Sequence, residues 1–247
     1  MAAGIVLIVL FALVERRSSH PLLPLGILTH RARAGAFLLQ AIGGSVTIGA
    51  TVFLAFHLQL VLGFTPLVAG LATLPMPLAS TLLAPIVARL LGRFGPRWLM
   101  ITGPLIAPAG MALLTFISPQ GSYFAEVLPG LLLAGAGLAF LLVPLQNVAL
   151  LGVPTHDAGA AGATVNASAQ VGGSLGLAIF SAVGAAAQRG TGTSEGSLAS
   201  LVNGYSAAFA AAAIALLVGA ALAFLLIRPK NDDSSTLSDH GPAQVTD

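Results

Sequence analysis

Apolar stretches long enough to cross a membrane alternate along this chain with short clusters of charge, glycine and proline. No Asp, Glu, Lys or Arg occurs in 1–14, 34–88, 98–125, 127–156, 158–188 or 196–227. A hydrocarbon core about 30 Å thick is crossed by about 20 apolar helical residues. Inside it an unpaired backbone polar group costs several kcal/mol, so each crossing must satisfy its own hydrogen bonds. Helices do this; the strands of a membrane barrel would need an alternation of polar and apolar residues that this sequence lacks. The pattern predicts an all-α integral membrane protein with six full spans, at 34–58, 67–90, 99–117, 128–151, 162–183 and 205–227. Turn-forming clusters rich in Gly, Pro, Ser and Thr separate them at 63–66, 92–96, 118–122, 152–159 and 189–204.

The ends of the chain differ from this middle. Residues 1–14 are apolar but reach only roughly 21 Å as a helix, too short to cross alone. A signal peptide is one reading, yet the segment has no basic start and runs into Glu15, Arg16 and Arg17 where a small-residue cleavage site belongs. The truncated end of a longer transmembrane helix is the preferred reading. Residues 15–33 read as a cytoplasmic connector, in which Leu22, Leu23, Leu25, Ile27 and Leu28 mix with His30, Arg31 and Arg33 as in an amphipathic interfacial helix. A plain connector is the alternative. The six-helix unit occupies 34–227, and the polar 228–247 reads as a disordered cytoplasmic tail.

Composition removes the soluble alternative, since 7% of residues are charged, against about 25% in a soluble domain. The absence of cysteine excludes disulfides and thiolate metal sites. A pI near 9.7 would ordinarily raise nucleic acid as a partner, but the basic residues sit in the short turns. Threading the spans alternately puts Arg16, Arg17, Arg31, Arg33, Arg89, Arg93, Arg97, Arg228 and Lys230 on one side and Arg189 on the other. By the positive-inside rule the first side is cytoplasmic. A multi-pass protein of the cell membrane with its C-terminus inside follows, its partner the lipid bilayer and not nucleic acid.

Chemistry within the spans is uncharged. An enzyme in a membrane needs titratable groups projecting from adjacent helices. None of the six spans holds an Asp or Glu, and His57, at one end of the first, is the single histidine among them. No catalytic residue, metal or cofactor is expected. His57 reads as structural or interfacial, and His156 with Asp157 as a weak pair in a loop. On the first span Gln40, Gly44, Thr47 and Thr51 fall within about 60° at 100° per residue, a polar and small stripe that lipid does not favour. Asn166, Gln170 and Gly173 form a second arc on the fifth span, while Gly172 and Gly176 make a seam for close helix packing. Gln146 and Asn147 form a third cluster. The candidate substrate path is Gln40, Thr47, Thr51, Asn147, Asn166 and Gln170. The competing reading has these groups bonding only neighbouring helices. Pro75, Pro77, Pro85 and Pro144 each remove a helical hydrogen bond and are candidate kinks.

One turn carries a resemblance. Ala88-Arg-Leu-Leu-Gly-Arg-Phe-Gly-Pro-Arg97 resembles the GxxxDRxGRR signature of the major facilitator superfamily. Arg93, Gly95 and Arg97 match; Ala88, Gly92 and Pro96 stand where the signature has its leading Gly, its Asp and one Arg. Residues 62–74 (LGFTPLVAGLATL), 128–144 and 152–176 (GVPTHDAGAAGATVNASAQVGGSLG) are similar to that superfamily's fourteen-helix drug:proton antiporters, the EmrB/QacA type, in collinear order. The resemblance implies the C-terminal half of such a transporter: 1–14 would end the eighth helix, and the six spans would be helices nine to fourteen, arranged as two inverted three-helix repeats. Arg89, Gly92, Arg93, Gly95 and Arg97 would form a cytoplasmic gate motif. The implied activity is proton-coupled export of drugs or other small hydrophobic compounds by alternating access. Its implied partners are a small-molecule substrate, protons, and an N-terminal half or a second copy of the chain. A non-transporting membrane scaffold derived from a transporter half is the alternative.

Overall fold

A computed structural model describes residues 31–150, 158–190 and 197–226. The stub 1–14, the connector up to residue 30, His156, Asp157 and the tail from 227 lie outside the described residues. Helix α1 is Arg31–Phe56 and continues as one π-helical turn, His57–Val61. Helix α2 is Pro66–Thr73, and α3 is Pro75–Leu113, closing in a 3-10 turn, Leu114–Phe116. A π turn, Tyr123–Val127, leads into α4, Leu128–Leu150. Helices α5, Ala158–Gly190, and α6, Leu198–Leu226, complete the bundle. Among the described residues there is no strand. Two expected boundaries move: α1 already includes Arg31, within the predicted connector, and α6 begins seven residues before Tyr205, inside the predicted loop.

Local chemistry explains the breaks. Gly63 holds φ +69°, the left-handed turn that releases α1. Thr65 then caps α2, its Oγ1 accepting from the Val68 N–H at 3.4 Å, with Pro66 at the first helical position. Pro75 opens α3 after the single turn residue Leu74, so it marks a helix start and not a kink within one. In the loop that leads to α4, Glu126 accepts from the Ser118 N–H at 2.8 Å and the Ser118 hydroxyl at 3.0 Å. The Tyr123 hydroxyl donates to the Ala72 carbonyl at 2.9 Å, fixing the entry of α4 against α2.

Helix α3 joins the predicted second and third spans without an irregular loop, since helical hydrogen bonding persists through 92–96. Packing nevertheless shows that it turns back. Gly135 of α4 lies against Met76 and Ala79, and Gly137, two residues on, lies against Ala107. A straight helix would hold residues 76 and 107 about 46 Å apart. Val87 and Leu99 likewise meet in one buried cluster with Ala139. The reversal therefore falls between Val87 and Leu99, where Gly95 and Pro96 disfavour straight continuation. The predicted hairpin stands; its predicted loop is replaced by a helical turn. Spin labels on cysteines introduced at Leu78 and Leu105, both exposed, will read a separation near 20 Å or less. A straight α3 would give about 40 Å.

The two arms of α3 run oppositely along α4. The first follows α4 in parallel, through Met76 at Gly135 and Val87 at Ala139. The second is antiparallel, through Gly103 at Phe140, Ala107 at Gly137, Gly110 at Ala134 and Leu114 at Gly130. Helix α1 repeats this relation with the other end of the chain. It lies parallel to α5, through Ala41 at Gly172, Ser45 at Gly176 and Gly49 at Phe180, and antiparallel to α6, through Ile42 at Gly219 and Phe53 at Tyr205. The first helix of each three-helix repeat thus packs on the second and third helices of the other. Five helical segments are long and apolar enough to cross a membrane: Gly35–Val61, Pro66–Phe94, Tyr123–Asn147, Ala158–Gly190 and Leu198–Leu222. The expected sixth is the returning arm of α3, of which Leu105–Phe116 is a shorter apolar helix.

Candidate substrate path

Helix α1 is the centre of the site, and its neighbours fix where each of its faces points. Gly43 meets Leu142 of α4, and Gly44 lies so close to Ala169 of α5 that a Cβ would strike backbone. At 100° per residue, Gln40, Thr47 and Thr51 fall in the arc between those two lines. They look into the crevice that α4 and α5, which barely meet each other, leave over α1. On α5, Asn166 and Gln170 stand beside the Ala169 line on this same side, and both are exposed. Level marks place Gln170 with Gln40, because Ala41 sits at Gly172.

Other candidates fall elsewhere. Asn147 is exposed but turned about 140° from Leu142, away from the α1 face, whereas Gln146 is turned about 40° and borders the crevice. Gly173 packs on Ile48 and, with Gly172 and Gly176, belongs to the α1 seam. Sequence periodicity marked Gln146 and Asn147 as a pair but had no means of telling which faced α1. His57, placed by the sequence at a helix end, is 1% exposed, its ring edge-on to Tyr205 at 6.3 Å. That burial supports the structural role and not the interfacial one.

The crevice offers hydrogen bonding without formal charge. The Thr47 hydroxyl donates to the Gly43 carbonyl at 2.8 Å, and the Thr51 hydroxyl to the Thr47 carbonyl at 2.7 Å. Each hydroxyl has spent its one proton on its own helix and presents only acceptor lone pairs. Gln40 is 8% exposed, and its Oε1 is buried without a hydrogen-bond partner. Among the described residues no cluster of acidic, histidine or cysteine side chains suits a metal ion.

At the end of the first arm of α3, Arg89, Gly92 and Arg93 are exposed, and the Arg93 guanidinium lies 5.4 Å from the Phe94 ring centroid. Gly92 has open space around it, so no close approach demands glycine there. Gly95 and Arg97 fall in the helical reversal itself.

Comparison with known proteins accounts for this architecture. The chain is 38% identical over its whole length to half of the puromycin resistance protein pur8 of Streptomyces alboniger. It is 34% identical, over 72% of its length and 33% of the relative's, to the multidrug resistance protein Stp of Mycobacterium tuberculosis. Against the lincomycin resistance protein of Streptomyces lincolnensis the identity is 34%, over 70% of this chain and 36% of the relative. The chain therefore spans half, or less, of the length of these relatives. A family model described as Major Facilitator Superfamily matches residues 36–246. Paired three-helix repeats, spans of membrane length and these matches together place the chain, a multi-pass membrane protein of transporter and not enzyme type, in the major facilitator superfamily.

Proposed function

We propose that this chain forms the C-terminal half of a proton-coupled drug exporter of the fourteen-helix type, with its C-terminus in the cytoplasm. The observation that carries the reading is the crevice over α1, where Gln40, Thr47, Thr51, Asn166 and Gln170 share one side of an otherwise apolar bundle. Lipid offers these groups nothing, whereas a drug with amide, amine or hydroxyl groups can bond them. The relatives' names, which specify puromycin, lincomycin and multidrug resistance, support a drug as the cargo.

In this mechanism the crevice is one wall of a central cavity, and the facing wall belongs to an N-terminal half or a second copy of the chain. The outward faces of the first arm of α3 and of α5, largely unburied, are available to that partner. Substrate exchanges the hydrogen bonds of water for those of Gln40 and Gln170, and rocking of the two halves opens the cavity alternately to each side. Arg89, Arg93 and Arg97 hold the cytoplasmic edge through contacts that form on one side of the cycle. The described spans contain a single carboxylate, Glu126, engaged with Ser118 at a helix start, so proton coupling is assigned to the facing half.

Single cysteines test this wall, because the chain has none of its own. In a transporter completed by a facing half, cysteines at Asn166 and Gln170 will react with a water-soluble maleimide and be protected by the transported drug. A cysteine at Ile179, exposed on another face of α5, will show no drug protection. Equal behaviour at all three positions would remove the case for the crevice.

A further inference from the structure

Helix α2, Pro66–Thr73, lies between two articulations. Gly63, at φ +69°, precedes it, and the turn residue Leu74 with Pro75 and Pro77 follows it. Neither proline has an N–H to donate, so the helical ladder is interrupted where α2 passes into α3. The short helix closes its own ends instead. Thr65 caps its start through the Val68 N–H, and the Thr65 carbonyl accepts from the Ala69 N–H at 2.9 Å. At its finish the Gly70 carbonyl accepts from the Thr73 hydroxyl at 2.7 Å, and the Leu71 carbonyl from the Leu74 N–H at 3.2 Å. With its end groups paired locally, α2 keeps these bonds wherever it swings.

Little else fixes the helix in place. Leu67, Val68 and Leu71 are exposed, and Ala69 is its one buried residue. Moving an exposed apolar face through lipid exchanges one apolar contact for another, with no hydrophobic penalty. The remaining tie is polar: among the described residues, the one side-chain hydrogen bond from α2 to a later helix joins the Ala72 carbonyl to the Tyr123 hydroxyl at 2.9 Å. The Tyr123 ring packs on Phe64 at 6.2 Å and Phe124 at 5.3 Å. It stands on the loop that Glu126 pins to Ser118. The donor is therefore anchored, while the segment it holds is hinged.

We propose that α2 is a lid at the end of the bundle opposite Arg89 and Arg93, turning about Gly63 and Leu74 and latched shut by the Tyr123 hydroxyl on the Ala72 carbonyl. Opening breaks that bond and exposes Ala69. The motion is local: it needs no displacement of α1, α4, α5 or α6, and so differs from the rocking of whole halves. Nor does it depend on transport, so loss of the drug-export reading would leave it standing.

The rate at which a buried cysteine is modified reads the opening, and the chain has no cysteine of its own. The full chain carrying Ala69→Cys, held in lipid nanodiscs, is treated with N-ethylmaleimide. Tyr123→Phe, which keeps the ring and removes the hydroxyl, will speed modification about two- to tenfold, the range of one ordinary hydrogen bond. A cysteine in place of Ala212, equally buried on α6, will react as slowly with Tyr123→Phe as without it. Replacing both Pro75 and Pro77 by alanine restores two backbone donors at the hinge, and will remove most of the acceleration at residue 69. An unchanged rate at residue 69, a parallel rise at residue 212, or an acceleration that survives the proline replacements would overturn the proposal.

Discussion

Gly172→Leu will destabilise the bundle by about 1–3 kcal/mol or more, the range for forcing extra atoms into a packed core. A Cβ at residue 172 would meet the carbonyl group and Cα of Ala41, which are backbone and cannot rotate aside. Gly44 faces the backbone of Ala169 and Gly176 the Cα and Cβ of Ser45, so α1 and α5 touch main chain to main chain over several turns. In a membrane, where lipid is as apolar as the helices, such contact is the principal attraction between them. Gly159 and Gly162 on the same helix have nothing within 4 Å of a Cβ. Alanine there will be neutral or stabilising by up to about 1 kcal/mol, because glycine is the poorer helix former. Thermal unfolding of the three variants in one detergent, followed by circular dichroism, separates the cases. Gly172→Leu melting with Gly162→Ala would show that the seam does not hold the bundle together.

The second large effect has opposite signs for stability and function. Gln40 carries a buried carbonyl oxygen without a partner, a condition that costs about 1–3 kcal/mol. Gln40→Leu, close in size, removes that cost and will raise the melting temperature. In a completed transporter the same change will lower drug transport at least roughly fivefold, since a hydrogen bond of about 1 kcal/mol or more to substrate is lost. A variant that is less stable yet transports normally would make Gln40 a packing residue. Thr47→Val discriminates further: its hydroxyl is already bonded to Gly43, so the loss will be smaller than at Gln40.

Much of this was legible in the chain. Windows without charge located the spans because charge in hydrocarbon is costly, and the Gly172 and Gly176 spacing located a seam because only small residues let backbones meet. The stripe of Gln40, Thr47 and Thr51 was readable from the 100° step of a helix. What periodicity does not carry is the identity of the neighbour. The crevice is defined by Gly43 meeting α4 while Gly44 meets α5, and the choice of Gln146 over Asn147 depends on the same long-range packing. Turn chemistry at 92–96 foretold the reversal of α3 but not its helical form.

The central claim, that this bundle is the drug-binding C-terminal half of an exporter, is tested most directly by drug accumulation in cells. The chain is joined to the N-terminal half of the Streptomyces alboniger relative, half of whose length it matches at 38% identity, and cellular puromycin is measured beside the same fusion carrying Gln40→Leu. The account predicts that the fusion lowers puromycin accumulation and that Gln40→Leu restores most of it. A fusion that is folded and present in the membrane yet leaves accumulation unchanged would contradict the account and favour a membrane scaffold.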